Sequence, residues 1–546
     1  MDRLTMWTAQ DIHYEPGPAD AQVRTFHVLY LHISSTQLTC SFDSSCNNQH
    51  TTMVRVLALA SIATALASAT PSLNVHQFRI SDFLDEVDPV SLETTEAAVD
   101  QELWFSNQKL DHANPSNSNV WNQRYFVNST FYGGPGSPVF LTIEGEWTAS
   151  LSTVTSGGYY FNALAKKHKA LIVSLEHRFY GKSQPFANLS TANLKYLSAD
   201  QALADIANFQ DFFSKSQNIT ADSKWVAVGA SYAGMLSTWL KLKYPTRFAG
   251  TWASSAPILA KEDYFEYSDH VSEGLRYFGG DQCVNRITAA TTELHRLVAS
   301  SKPDDVASLN KLFKPCYEFT SNDDRGVFEG QIYGAFQGPA QANDYAKKNL
   351  DFVCKAFANT TVSPIEALSA YIGNNVPDKC TYNSLQGYIQ YYQNVVIAPV
   401  DTGSRQWFYQ TCSEFGFGQT TSTSIGAFSP LQFGTVDVVQ RKLCAAVFNI
   451  TDTAARVART NAKYGGLKVD VPNVVSVTGT IDPWDALALT NATGAVNAKT
   501  DVVEILATSH CRDYYTPRAT DSGHLVWAHQ RIDQAIDRYV NGHASC

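Results

Sequence analysis

The chain has 546 residues, of which 44% are hydrophobic and 17% are charged, and its formal net charge is −10 at pH 7. This balance is typical of a folded protein with a large buried core, and it excludes a chain that is disordered along its length. The basic residues form no dense run, so we expect no nucleic-acid partner.

Residues 53–69 have the pattern of a secretory signal peptide. A basic residue near the start is followed by an alanine-rich apolar core and the small-residue ending Ala67-Ser68-Ala69. Such a peptide normally stands at the extreme N-terminus, so we expect translation to start at Met53 and residues 1–52 to be an upstream extension of the gene model. The alternative is a signal anchor with a short cytoplasmic tail, but the apolar run is short for a membrane span.

The rest of the chain has the features of a secretory-pathway protein, either extracellular or lysosomal and vacuolar. Apart from Cys40 and Cys46, eight cysteines remain, an even number that predicts disulfides but does not fix their pairing. Their spacing does not suit zinc, so we expect no metal and no cofactor, and no later stretch is apolar for long enough to span a membrane. Oligomeric state is open, and a homodimer is compatible with the sequence. Six sequons predict N-glycosylation at Asn128, Asn188, Asn218, Asn359, Asn449 and Asn491.

Strands and helices alternate from about residue 138. The preceding residues, 71–135, are polar and rich in turns, with hydrophobic islands at 104–105 and 121–127. Apolar residues between 199 and 213 follow a helical stripe. The alternation predicts βαβ units and a mostly parallel sheet. The strand candidates are 138–143, 170–175, 225–228 and 248–254.

The strand pattern stops between about 257 and 433. This stretch has helical segments, many tyrosines and five of the eight remaining cysteines. Strand candidates resume at 474–478 and 502–507, and an amphipathic helix is predicted near 525–540. We therefore predict a discontinuous α/β core, 70–256 and 434–546, with a helical, disulfide-bearing cap at 257–433.

A serine lies on a predicted strand-to-helix turn at Gly229-Ala-Ser231-Tyr-Ala-Gly234. Small residues on both sides of Ser231 allow the sharp turn that exposes its Oγ, which is the nucleophile elbow of an α/β-hydrolase. Ala233 departs from the usual pattern, which has a glycine there. The sequence thus predicts an α/β-hydrolase core with Ser231 as nucleophile.

The acid and the base are expected on loops after late strands, in the order serine, acid, histidine. His510 closely follows the strand candidate 502–507, whereas the other histidines after Ser231 fall in the inserted region or near the terminal helix. Asp482 is the first acid after strand 474–478, and Asp485 is the alternative. His510 would take the proton of Ser231, and Asp482 would hold the imidazole tautomer and stabilise the imidazolium.

Two backbone amides would bind the oxyanion. The amide of Tyr232 at the start of the helix is one candidate. The loop after strand 138–143 offers the other, from Gly145 or Glu146, because glycine permits close backbone approach. The alternative for this loop is an ordinary turn at a strand end.

Taken together, these residues and several further blocks resemble the S28 family of serine peptidases. The stretch 410–416, QTCSEFG, is most similar to the thymus-specific branch of that family. The blocks cover most of the chain after the signal peptide, in the family's order. They are WFSNQKLDH at 104–112, WNQRYF at 121–126, EHRFYGKS at 176–183, the elbow, ASSAP at 253–257, DPW at 482–484 and SHC at 509–511.

The resemblance implies an α/β-hydrolase core whose helical cap restricts the site to peptide ends, with cleavage after proline or a small residue. It implies Ser231, Asp482 and His510 as the triad and peptides as substrates. Glu414 and Trp484 are candidates for substrate binding, although a structural role suits each of them. Glu144 and Trp147 depart from the glycines usual in the family's oxyanion loop.

Two other functions are compatible with the elbow alone. An esterase or lipase can use the same fold and triad, because the elbow does not distinguish esters from amides. An inactive hydrolase fold that serves as a binding protein is the other, although such proteins usually lack one member of the triad.

Overall fold

The computed structural model describes residues 102–315, 317–375, 384–398 and 403–542. The predicted extension 1–52 and signal peptide 53–69 lie outside the described residues, as do Cys316, Cys380 and Cys546. Strands and helices alternate as the sequence predicts from the third strand onward.

The central sheet of the described region has eight strands, ordered β1-β2-β4-β3-β5-β6-β9-β10. All pairs from β4 to β10 are parallel, while β1-β2 and β2-β4 are antiparallel. The inner strands β3, β4, β5, β6 and β9 are buried along their whole length, which the Val, Ile and Leu content of all of them except β6 favours. The strands are β1 Leu103–Lys109, β2 Val120–Asn128, β3 Val139–Ile143, β4 Leu171–Leu175, β5 Trp225–Ala230, β6 Gly250–Ser254, β7 Lys261–Asp263, β8 Gly416–Gly418, β9 Val474–Gly479 and β10 Thr500–Ile505.

The first two strands were not predicted. Leu103–Lys109 and Val120–Asn128 pair with each other, and the second adds antiparallel to β4. β1 lies at the edge of the sheet, and four of its residues are exposed. Its sequence therefore lacks the continuous apolar run that revealed the inner strands.

Helices cover both faces of the sheet and fill the long insertion between β6 and β9. The terminal helix follows its predicted range closely, and the helix after β5 begins directly after Ser231, as the predicted turn requires. The helices are α1 Leu151–Thr155, α2 Tyr160–His168, α3 Thr191–Leu194, α4 Ala199–Ser216, α5 Tyr232–Lys243, α6 Glu266–Ala299, α7 Pro303–Phe313, α8 Asn322–Gln341, α9 Leu350–Ala356, α10 Pro364–Asn375, α11 Leu385–Gln393, α12 Ser404–Gln410, α13 Lys442–Phe448, α14 Thr453–Tyr464 and α15 Gly523–Asn541.

Two disulfides lie in the described part of the insertion. Cys283 of α6 is bonded to Cys354 of α9. Cys412, in a π-helical turn directly after α12, is bonded to Cys444 of α13. Each bond joins segments that are distant in sequence, and so restricts the unfolded chain more than the folded one.

None of the helices in the described ranges is both long and apolar enough to cross a lipid bilayer.

Candidate active site

Ser231 occupies the turn between β5 and α5 in a strained conformation. Its φ of 56° and ψ of −124° are rarely adopted by residues other than glycine. A Cβ at Gly229 would lie 2.1 Å from the carbonyl oxygen of Ala233, and one at Gly234 would lie 2.9 Å from that of Ser254. Glycine is therefore needed at 229 and 234, whereas Ala233 fits the turn. Ser231 is half-buried between fully buried neighbours.

His510 and Asp482 form a buried pair. Nδ1 of His510 lies 2.9 Å from each carboxylate oxygen of Asp482. The amide of Trp484 also donates to Asp482 at 2.9 Å, which orients the carboxylate further. Asp485, the alternative acid, instead accepts from the hydroxyl of Thr478 at 3.5 Å.

The environment of His510 favours its charged form. Burial lowers the pKa of the imidazole, but Asp482 and Cys511 together outweigh that effect and raise the pKa well above its ordinary value. Nε2 is buried and has no hydrogen-bond partner among the described residues. With Nδ1 bonded to the carboxylate, Nε2 is the nitrogen that can exchange a proton with a reacting group.

The order of the strands brings Ser231 and His510 to the same end of the sheet. The carbonyl oxygen of Ser254, at the end of β6, accepts from the amide of Ser231 at 2.8 Å and lies 4.0 Å from Sγ of Cys511. The amide of Cys511 donates to Oγ of Ser255 at 2.8 Å. His510 has no hydrogen bond to Ser231 Oγ in the part of the chain that is described, and such bonds are often long without substrate.

The insertion holds the histidine loop in place. Asp344, just after α8, accepts from the amide of Ser509 at 2.7 Å. Oγ of Ser509 donates to the carbonyl oxygens of Ala340 and Gln341 at 2.5 and 3.1 Å. The hydroxyl of Tyr345 lies 3.5 Å from the carbonyl oxygen of His510. Sequence reasoning missed Asp344 and Tyr345, since they lie far along the chain from His510 and belong to no recognisable motif.

The residues predicted for the oxyanion site lie at the expected elements. Tyr232 is the first residue of α5, and Gly145 and Glu146 follow β3. Trp147 folds back so that its indole donates to the buried carboxyl of Glu144 at 2.7 Å. A Cβ at Gly145 would lie 3.0 Å from the Trp147 ring, so glycine is favoured there.

Trp484 lies beside the histidine. Its ring centroid is 6.3 Å from that of His510 and 5.2 Å from that of Phe417. Phe417 contacts Trp407, which in turn contacts Tyr232 at 5.3 Å. An arc of aromatic rings therefore connects the residue after Ser231 with His510.

Glu414 contacts the start of α4. Its two carboxylate oxygens lie 3.2 and 2.9 Å from the amide of Ala199, the first residue of that helix. Burial raises the pKa of Glu414 to about 7. The Glu414 carboxylate thus accepts hydrogen bonds from the N-terminus of α4, and its contact with substrate stays a prediction.

Glu176 and Arg178 stand two residues apart at the end of a strand candidate, and the sequence predicts a buried ion pair between them; that prediction is wrong. Glu176 pairs with Arg124, and Arg178 forms a bidentate pair with Asp205 at 2.5 and 2.6 Å. The side chains of Glu176 and Arg178 each pair with a residue of another element, although the two residues are close in sequence.

The six sequons differ in exposure. Asn128 is buried, and its side-chain amide donates to the carbonyl oxygen of Val154 at 2.7 Å. Attachment of a glycan to that nitrogen would require this buried side chain to move. The other five asparagines, Asn188, Asn218, Asn359, Asn449 and Asn491, are exposed.

One group of side chains in the described residues has the spacing of a metal site. His168, Asp533 and Asp537 have donor atoms within 4.8 Å of one another. The ammonium of Lys167 already bonds both aspartates, at 2.6 and 3.0 Å. The lysine supplies the positive charge that a metal ion would supply, so we assign no metal there.

Comparison with known proteins identifies the family of this chain. The family model described as serine carboxypeptidase S28 matches residues 108–532. Thymus-specific serine protease of Mus musculus is 32% identical over 458 residues, covering 81% of this chain and 88% of that protein. Its Homo sapiens counterpart is 31% identical over 466 residues, covering 83% and 89%. The chain therefore belongs to the S28 family of serine peptidases.

Proposed function

We propose that the chain is a serine exopeptidase that uses Ser231, His510 and Asp482 as a catalytic triad. The observation that carries the proposal is the buried Asp482–His510 contact at the strand end where Ser231 adopts its strained turn. Peptides are the substrates, as the family implies.

The first half of the reaction forms an acyl-enzyme. Nε2 of His510 takes the proton of Ser231 as Oγ attacks the scissile carbonyl carbon. The amide of Tyr232, together with that of Gly145 or Glu146, donates to the negative oxygen that forms. His510 then gives its proton to the leaving amine, and the peptide bond breaks.

The second half releases the acyl group. His510 takes a proton from water, and the resulting hydroxide attacks the ester carbonyl carbon of the acyl-enzyme. The tetrahedral intermediate collapses, and His510 returns the proton to Oγ of Ser231. The carboxylate of Asp482 stabilises the imidazolium in both halves.

Two observations support action at peptide ends and after proline or a small residue. The segment from Ala340 to Tyr345 belongs to the insertion and contacts the histidine loop, so the insertion limits access from that side. The aromatic arc from Tyr232 to Trp484 offers flat apolar faces, which suit the ring of proline.

We propose that the protein acts in the secretory pathway, outside the cell or in a lysosome or vacuole. Two disulfides and five exposed sequons are consistent with an oxidising compartment. The predicted signal peptide supports the same location.

The test is a digest of peptides with free or blocked ends and with proline at successive positions, analysed by mass spectrometry. Ser231→Ala is the matched control. We expect loss of one C-terminal residue or of an N-terminal dipeptide, which would separate a carboxypeptidase from a dipeptidyl peptidase. Internal cleavage of peptides blocked at both ends would contradict the exopeptidase proposal. Turnover of simple esters without peptide cleavage would point to an esterase.

A further inference from the structure

A buried hydrogen-bond chain connects the insertion with the residue that follows Ser231. Nε2 of Gln410, the last residue of α12, donates to the phenol oxygen of Tyr232 at 2.8 Å. The hydroxyl of Tyr180 donates to Oε1 of Gln410 at 2.6 Å. Nε2 of His177 lies 3.0 Å from the Tyr232 oxygen. All four side chains are buried.

The direction of every bond in this chain is fixed. Nδ1 of His177 lies 2.7 Å from the carbonyl oxygen of Arg178, which can only accept, so Nδ1 carries the proton. Burial lowers the pKa of His177 to about 4, so the ring is neutral above that pH. Its Nε2 therefore accepts from the Tyr232 hydroxyl. That leaves the Tyr232 oxygen to accept from Gln410.

We propose that Gln410 positions the oxyanion donor through this chain, a role that rests on the proposed function. Tyr232 supplies the backbone amide that would face the oxyanion, and its ring is held at its outer end by Gln410 and His177. Trp407 and Phe415 pack on the ring at 5.3 and 5.5 Å. Fixing the ring fixes the first turn of α5, and with it the direction of the amide.

Contacts on both sides of Gln410 along the chain restrain its position. One turn earlier on α12, Nε2 of Gln406 donates to the carbonyl oxygen of Phe179 at 2.9 Å. A π-helical turn, Thr411–Phe415, follows Gln410 directly and contains the disulfide to Cys444. Such turns often occur at functional sites.

Charged and titratable groups surround the Tyr232 hydroxyl. Besides His177, they are Glu414 from the π-helical turn, Glu146 from the loop after β3, and Tyr464 of α14. Burial and these neighbours raise the pKa of Tyr232 well above its ordinary value, so it stays a neutral donor.

The substitution Gln410→Glu tests the proposal, because the introduced carboxyl changes its bonding with pH. When protonated, it has one O–H to donate to Tyr232 and a carbonyl oxygen to accept from Tyr180. When ionised, the carboxylate can only accept. The Tyr232 hydroxyl then donates to the carboxylate and no longer donates to Nε2 of His177. We expect kcat to be about 10- to 100-fold below wild type at pH 8 and within about threefold at pH 5, with KM changed by less than about threefold.

Two variants serve as controls. Gln410→Met fills a similar volume without hydrogen bonds, and we expect it to lower kcat equally at both pH values. Gln210→Met removes a buried amide of α4 that bonds the carbonyl oxygen of Arg247, outside the hydrogen-bond chain, and we expect kcat within about threefold of wild type. Thermal unfolding of each variant establishes that it is folded before its kinetics are compared.

The outcomes separate this inference from the proposed function. If wild-type hydrolysis is absent or survives Ser231→Ala, the proposed function fails and this inference fails with it. If wild-type hydrolysis requires Ser231 but the ratio of the Gln410→Glu variant to wild type is the same at both pH values, this inference alone is overturned. Recovery of the ratio at pH 5 supports it, since a purely structural role would not restore kcat with protonation.

Discussion

Ser231 adopts a backbone conformation that costs a non-glycine residue about 1–3 kcal/mol. The surrounding residues maintain it: the amide of Ser231 is bonded to Ser254, and Gly229 leaves room for the helix that follows. The turn directs Oγ away from the sheet and places the next amide at a helix N-terminus. The strained backbone of Ser231 thus gives Oγ and the Tyr232 amide the positions that the proposed reaction requires.

Asp482→Asn should lower kcat by about 10⁴-fold while the protein stays folded. Loss of the negative charge lowers the pKa of His510, so the acid limb of the pH–rate profile should move to lower pH. Steady-state rates over a pH series measure both effects. Asp485→Asn is the control, with an expected loss below about tenfold, and a larger loss there than in Asp482→Asn would transfer the role to Asp485.

At the scale of elements, the proposed active site depends on the ends of three parallel strands and on one helix of the insertion. Residues after β5, β9 and β10 are the proposed serine, acid and histidine, and they lie near one another because the carboxyl ends of parallel strands lie at one edge. The C-terminal end of α8 then contacts the histidine loop through Ser509. The insertion therefore supports the histidine loop, in addition to the limit on access that we propose for it.

Asp344→Ala should lower kcat by about 10- to 100-fold, because the amide of Ser509 loses its acceptor and the histidine loop shifts. Asp344→Asn keeps an acceptor oxygen and should restore most of the activity. Steady-state kinetics of both variants at one pH provide the comparison. Equal activity of the alanine variant and wild type would show that the contact does not hold His510.

Local patterns predicted much of the fold, and long-range contacts account for what they missed. The elbow, Asp482 and His510 were identifiable because each follows an apolar strand run. β1 and β2 were missed because an edge hairpin has no such run. Gln410 contacts Tyr232, and Asp344 contacts Ser509, only in the folded chain, because the partners are far apart in sequence. The Glu176–Arg178 prediction failed because each of these charges pairs with a residue of another element.

At the scale of the whole molecule, buried acids favour stability at acidic pH. Burial raises the pKa of Glu414 and Asp485 to about 7 and that of Asp513 to about 6. Each carboxyl binds its proton more tightly in the folded protein, so its contribution is present at low pH and is lost as the pH rises through the raised pKa. His177, with a pKa of about 4, acts in the opposite direction below pH 6.5, its ordinary pKa. Burial also lowers the pKa of His168 and His529, which act in the same direction as His177. The pKa values of His270, His295 and His510 are raised by neighbouring acidic groups, so these histidines add to the effect of the acids.

The apparent unfolding temperature should therefore be higher at pH 5 than at pH 7.5, by about 5 °C. Glu414→Gln removes one of the three acid titrations and should reduce that difference. Differential scanning fluorimetry of both proteins across this range measures the effect. A higher unfolding temperature at pH 7.5 in the wild type would contradict the expected direction.

The most direct measurement is the reaction of the full chain with a fluorophosphonate that modifies active serines, followed by peptide mass spectrometry and a parallel peptidase assay. We expect the phosphonyl group on Ser231 alone, and Ser231→Ala should abolish labelling and lower kcat by about 10⁶-fold. Label on another residue, or peptide hydrolysis by Ser231→Ala at the wild-type rate, would contradict Ser231 as the nucleophile.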